Sequence, residues 1–476
     1  MAVIPMLLSV LATTGMAAQG GTDCLRLSRA GTQVQGAVRI CAGRYRIPDP
    51  EERGVVIIAS SGTHLDMTGV TLESGDSLPS GFVGIGIVSR GVDNVEIHGG
   101  TVRGYRYGVL LEGGSGHRVS DMTLSGSRSQ SLRSTAAEFD QADWLDIFRP
   151  DTFETYGSGV LLKWTDQASV TRITATRAQN GIGLFGARRS HIADNDVSGN
   201  SGWGIHLWRA SHNVIVRNEA HHNVRCESRS YSRGCDSAAI LLRERSDSNL
   251  IVNNDLRYSG DGFFLSGHRP LVNPSVGNMV IRNDASFAYH NAFESTFSSG
   301  NTFLDNVADS SRYGFWLGYS SHTLVRGNRV IGTVTAGIAI EHGSDNTIAA
   351  NSIIGGDVGI RLFAPHQGDE PSRGYRIDDN VLADLRRGIV LERTIQARVR
   401  GNLLDGLREG LVVDSIGGDT EVTGNIFLEA GLWFISAPNL DAGGNFWGTG
   451  SVEETAKLVD GRIVLTPWRS AADAGF

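Results

Sequence analysis

Lysine is nearly missing from this chain: Lys163 and Lys457 are the two among 476 residues, and the other basic side chains are arginine. With 51 acidic against 43 basic residues the formal net charge is -8, which excludes the basic stripe that nucleic-acid binding requires. Proline is scarce, 11 residues against 61 glycines, a balance that suits many tight turns and excludes a Pro-rich disordered chain. Apart from Met1 to Ala18, no stretch is long and apolar enough to cross a bilayer, so no transmembrane segment is expected. That first run ends in Gly15-Met16-Ala17-Ala18 and reads as a signal peptide over residues 1–18, which points to a secreted or periplasmic protein. The four cysteines form two local pairs, Cys24 with Cys41 and Cys226 with Cys235, and suit disulfides better than a zinc cluster. No metal site is expected, and neither a phosphate-cradling loop nor a Ser-His-Asp arrangement is present.

What the chain has in quantity is repetition. Gly181-Ile182-Gly183-Leu184 returns as Gly204-Ile205-His206-Leu207, Gly262-Phe263-Phe264-Leu265, Gly314-Phe315-Trp316-Leu317, Gly337-Ile338-Ala339-Ile340 and onward to Gly431, at intervals close to 22 residues or a loop's length more. An Asn follows most phrase starts by 14 residues, as in Asn195, Asn218, Asn306, Asn328, Asn351 and Asn402. A unit this short, with a few short strands and an Asn at one bend, predicts an all-β fold: a single parallel β-helix solenoid closed by N- and C-terminal caps. Stacked Asn side chains would satisfy the backbone groups that a bend leaves open. The expected organisation is a cap over 19–53, coils over 54–448 and a second cap over 449–476. Loop insertions interrupt the coils near 127–156, 223–235, 268–276 and 364–374. The first two precede the leading strand of their coil and the last two follow it, so they should wall a cleft over that sheet, where a ligand is expected.

Within each phrase the residues in phase with Ile205 and Leu207 point inward, and period two turns the others outward. The outward set includes His206, Trp208, Arg243, Phe264, Trp316 and Arg361. Large aromatics there read as stacking platforms for sugar rings, with His206, Arg243 and Arg361 holding hydroxyls or a charged substituent. Ala292-Phe293-Glu294-Ser295 breaks the phrase, with Ser295 inward and Glu294 outward beside Trp316. Asp236, Asp261 and His290 occupy similar positions at the strand starts of neighbouring coils, so these four should stack where the walls rise. A carboxylate pair is what glycosidic cleavage needs, one acid to protonate the leaving oxygen and one carboxylate to activate water or attack the sugar. The expected assignment is Glu294 as acid and Asp261 as base or nucleophile, with Asp236 and His290 beside them. The bland reading of the Asp residues is turn capping.

The repeated Gly-Ile-x-Leu phrases, the Asn ladder and the ending Asn445-Phe446-Trp447-Gly448 resemble the right-handed parallel β-helix superfamily, in the branch of carbohydrate-binding and sugar-hydrolase modules and NosD-like periplasmic proteins. The resemblance runs from about Gly54 to Trp468. It implies a polysaccharide or oligosaccharide partner and leaves three activities open: a glycoside hydrolase or intramolecular glycosyl transferase without a cofactor; a lyase or uronan epimerase using His or Arg; and a noncatalytic glycan-binding scaffold. The Asp-Pro-His-Asp motif of alginate epimerases is absent, Tyr289-His290-Asn291 being the nearest arrangement. A lyase would bring calcium, for which Asp236, Asp261 and Asp284 are the candidate ligands.

Overall fold

The phrase Gly-Ile-x-Leu forms a strand because its apolar residues alternate with side chains that tolerate the outer face. In the computed structural model these strands stack in register: Ile205 pairs with Ile182 on one side and Ile240 on the other, both parallel. The structure describes residues 24–75, 78–135, 137–138, 140–226, 234–269, 272–366, 368–414, 419–429, 433–434, 440–460, 463–467 and 469–470. The expected signal peptide, residues 1–18, and Trp468 lie outside the described residues.

Each coil contributes a long strand to a first parallel sheet, such as Asn180–Phe185, Trp203–Trp208, Ala238–Arg243, Asp261–Ser266 and Asn291–Thr296. It then gives a three-residue strand to a second sheet, such as His191–Ala193 and Val214–Val216. A third line of contact is a run of single parallel bridges, Thr174 to Asp196 to Glu219 to Asp255 to Asp284. Chain and sheet together make one parallel β-helix, with the core inside the coils. Ile205, Leu207, Ile240 and Leu242 are fully buried there, and Phe293 stacks on Phe315 with ring centroids 4.9 Å apart.

The Asn ladder is continuous. Asn306 Nδ2 donates to Val280 O at 2.9 Å and to Asn328 Oδ1 at 3.0 Å, and its own Oδ1 accepts the Asn283 backbone N–H at 2.9 Å. The same pattern links Asn195, Asn218, Asn254, Asn283, Asn306, Asn328, Asn351, Asn380, Asn402, Asn425 and Asn445. A second ladder, Asn213, Asn249, Asn278 and Asn301, runs at another bend.

The coil geometry also reaches into the segment expected to be a cap. Thr32–Val34, Ala37–Arg39 and Gly43–Arg46 pair in register with the strands at Val56, His64 and Val70, and the Cys24–Cys41 disulfide closes this first turn. At the far end Ile463–Val464 adds to Leu440–Asp441, beside a short helix Val452–Thr455. Among the described residues no helix is long and apolar enough to cross a membrane.

The 127–156 insertion is where the structure departs from expectation. It does not stand up as a wall but lies down on the first sheet, because it carries apolar side chains that bury there. Leu145, Ile147 and Tyr156 pack on Trp203, Ala238, Leu241 and Phe264, while Phe153 packs on Tyr107, Leu110, Leu161 and Trp208. Tyr107 Oη donates to Phe153 O at 2.7 Å, and Arg243 Nε donates to Ile147 O at 2.8 Å.

Candidate functional site

Three successive coils of the first sheet bring acids into one neighbourhood, Asp236 and Asp261 at the strand starts and Glu294 three residues into its strand. The left-handed turn at Cys235 and Asp236, φ 49° and 58°, delivers Asp236 just before the strand Ala238–Arg243, and the Cys226–Cys235 disulfide closes the loop that leads into it. Asp261 opens the next strand in register with Ala238. One coil further, Glu294 pairs with Phe264 on one side and Trp316 on the other. His290 precedes that strand.

The stack is closely knit. His290 Nδ1 lies 3.3 Å from Asp261 Oδ1, which also accepts the Asn291 backbone N–H at 2.8 Å. Asn291 Nδ2 donates to Glu294 Oε2 and lies 3.0 Å from His290 Nδ1. Asp261 is 1% exposed and His290 18%. Trp144, from the 127–156 insertion, donates its indole N–H to Asp236 Oδ2 at 2.7 Å. Beside the stack opens a hollow of about 300 Å³ lined by His290, Glu294, Arg312, Tyr313 and Trp316.

Electrostatics follow from this depth. Burial pushes the Asp236 carboxyl up to about 7; the Trp144 hydrogen bond pulls it down in part, and the charge of Asp261 pushes it up. Burial raises Asp261 too, against the opposing hydrogen bonds from Asn291. Glu294 is held well above the usual carboxylate range, first by burial and then by the charge of Asp261, with His290 offsetting part of it. Buried Asp261 and half-buried Glu294 are adjacent carboxyls that cannot both ionise at low cost.

The six residues expected to meet ligand divide into two groups. His206, Trp208, Arg243 and Phe264 do point out of the coil, but the insertion covers them, and all four are buried. His206 stacks on Phe153 with centroids 4.2 Å apart, neither ring nitrogen has a hydrogen-bond partner among the described residues, and burial pushes its pKa well down. Trp316 and Arg361 remain partly exposed. Trp316 lines the hollow. Arg361 lies two rungs on, where its Nη2 donates to Glu392 Oε2 at 2.7 Å and its guanidinium sits 4.3 Å above the Phe363 ring.

Sequence reasoning missed Trp144, Asn291, Arg312 and Tyr313. Asn291 and Tyr313 share the register column of Asp261, a signal the phase of the repeat carries. Trp144 belongs to a nonrepeating insertion and has no such signal.

One oxygen or nitrogen from each of Asp261, His290 and Glu294 lies within 4.8 Å of the others, so these three could converge on a metal ion. Two carboxylates and an imidazole fall short of the six to eight oxygens that calcium takes. Asp284 is not among them: it sits at the far bend, where its carboxylate accepts the Ser286 N–H at 3.0 Å and faces Arg257 at 3.8 Å.

Comparison with known proteins places the fold. No curated protein sequence matches the chain. Among solved structures, the catalytic domain of a GH87 α-1,3-glucanase in complex with nigerose aligns with 11% identity over 81% of this chain and 70% of its own, with a TM-score of 0.47. The mannuronan C-5 epimerase AlgE4 A-module of Azotobacter vinelandii aligns with 14% identity over 70% and 90%, TM-score 0.45. PfbA, a surface adhesin of Streptococcus pneumoniae, gives 12% identity over 83% of each chain, TM-score 0.39. At these identities the likeness is one of fold alone. The family model described as "Right handed beta helix region" matches residues 85–226, 158–330, 228–365 and 277–427, which is most of the chain, and the protein therefore belongs to the right-handed β-helix family.

Proposed function

We propose that this protein is an exported glycoside hydrolase that cleaves a polysaccharide or oligosaccharide lying over the first sheet at the Asp236–Asp261–Glu294 stack. The observation that carries this reading is the stack itself: three carboxyls on consecutive rungs, raised by burial, at a hollow floored by an aromatic residue. An acid that must donate a proton near neutral pH needs such elevation. Trp316 and Tyr313 supply faces for a sugar ring, and Arg312 a donor for its hydroxyls.

The roles follow from access. Glu294 faces the hollow and is the proton donor, with buried Asp261 holding the shared proton in place. Their proximity leaves no room between them for the attacking water, which an inverting pair accommodates across about 6.5–9.5 Å. Asp236 enters two rungs away, ahead of its strand rather than opposite Glu294, which leaves room for a water between them, and its charge still raises Glu294. It is partly exposed, and its pKa near 7 is matched to general-base work. Asp236 therefore activates water and the product anomer is inverted. His290 orients Asp261. The two disulfides accord with an oxidising compartment outside the cytosol.

The test is product analysis on neutral and uronic polysaccharides, with anomeric configuration read by NMR. New reducing ends of inverted configuration, lost in Glu294→Gln and Asp236→Asn, support the reading. Unsaturated uronate products would establish a lyase instead, and binding without turnover a scaffold.

A further inference from the structure

The same sheet carries a second hollow, on the other side of the 127–156 insertion, of about 450 Å³. We propose that it is a separate binding site for an uncharged sugar residue of a glycan. None of its lining residues belongs to the acid stack.

The floor is apolar and partly aromatic. Leu110, Leu161 and Phe185 rise from three consecutive rungs, and Phe153 closes the side from the insertion. Around the rim, charges alternate. Lys163 Nζ lies 3.1 Å from Glu112 and 3.8 Å from Glu154, Arg90 Nε lies 3.3 Å from Glu112, and Arg106 reaches Glu52 at 2.9 Å. Three cations of the lining thus meet three carboxylates, and the fourth carboxylate, Asp151, pairs with Arg149 at 3.0 Å. An anion entering here would face carboxylates already engaged and find no surplus positive charge. A neutral polyhydroxylated ring finds donors and acceptors side by side for its hydroxyls, over an apolar surface for its C–H face. The Nε of Arg106 is buried with no hydrogen-bond partner among the described residues, one donor the protein itself leaves unused.

Trp164 adds a second observation. Its side chain is 54% exposed, yet it is held in place. The residue is left-handed at φ 56°, its ring lies over Gly186 where a Cβ would collide with it, and it meets Phe185 edge-on with centroids 5.0 Å apart. A large aromatic fixed against Phe185, which lines the hollow, offers an adjoining stacking face at little entropic cost. Between the strand bearing Phe185 and the strand bearing Glu294 lie four rung steps, about 19 Å. The insertion lies across that interval, so the two hollows are distinct sites on one face.

The test is calorimetric binding of cellohexaose, mannohexaose and, as the anionic comparison, hexagalacturonate to the whole protein and to Trp164→Ala, Glu112→Gln and Glu294→Gln. Trp164 is surface-exposed, so its truncation leaves the fold intact. The expected result is binding of a neutral hexasaccharide that Trp164→Ala weakens about ten-fold, the size of a single hot-spot truncation, that Glu112→Gln also weakens, and that Glu294→Gln leaves in place. Neutral binding unchanged in Trp164→Ala, no neutral binding in the parent at millimolar sugar, or Trp164 dependence confined to hexagalacturonate each overturns the proposal. Because the readout is binding, failure here is separate from failure of the hydrolase reading, which is judged by products.

Discussion

The indole N–H of Trp144 meets Asp236 Oδ2 across 2.7 Å, joining the one long nonrepeating insertion to the first acid of the stack. This bond favours the ionised carboxylate, opposing the burial that raises it. Trp144→Phe keeps the ring and removes the donor, so the Asp236 pKa should climb above its present value near 7, by about one unit for a hydrogen bond to a charged group. The carboxyl ¹³C titration of Asp236 reads this directly. A downward or absent shift would show that the bond does not act on the carboxylate.

Asp236 also links stability to pH. Its folded pKa is about 7, well above the ordinary aspartate value of about 4, so between these limits the folded state binds more protons than the unfolded state. Its contribution is therefore intact below about pH 4 and is lost as pH rises towards 7. Asp236→Asn removes the titration and should stabilise the protein at pH 8 relative to pH 4, by up to about 4 kcal/mol. Urea unfolding at the two pH values measures it, and an equal effect at both would contradict the assignment.

The ladder is a structural counterpart. Asn306→Ala deprives Val280 O and the Asn283 backbone N–H of their buried partner and removes one of two donors from Asn328 Oδ1, which keeps the backbone N–H of residue 306. Each unsatisfied group costs about 1–3 kcal/mol, so the loss should reach about 3 kcal/mol or more. Arg326→Ala, at an exposed position of the next coil outside the ladder, should stay within about 0.5 kcal/mol. Denaturant midpoints for the pair separate a ladder role from a general sensitivity of the bend.

Much of this arrangement is legible in the sequence because a solenoid turns phase into position. Asp236, Asp261 and Glu294 lie on neighbouring coils of a parallel ladder, which brings them near one another although their offsets differ, Asp261 aligning with Ala238 and Glu294 with Phe264. The same logic placed His206, Trp208, Arg243 and Phe264 on the outer face, where they are, but could not show that they are covered. Covering depends on Leu145, Ile147, Phe153 and Tyr156, which sit in a segment without period and reach coils far along the chain. The early coil at Thr32–Arg46 escaped notice for a related reason: its strands pair in register, yet its residues lack the Gly-Ile-x-Leu phrase.

The pH profile of activity tests the shared proton. Glu294 lies well above the carboxylate range through burial and the charge of Asp261. Removing that charge in Asp261→Asn should lower the pKa of Glu294 and move the alkaline limb of kcat/KM to lower pH. A limb that stays in place, or moves up, would separate Asp261 from the donor.

The most direct measurement is the anomeric configuration of the first product, followed by ¹H NMR on the glycan that the parent protein turns over, beside Glu294→Gln and Asp236→Asn. The account expects inversion, with kcat falling by about 10²–10⁴ in each variant while the fold is retained. Retained configuration, or turnover undiminished in both variants, would contradict the acid and base assigned to this stack.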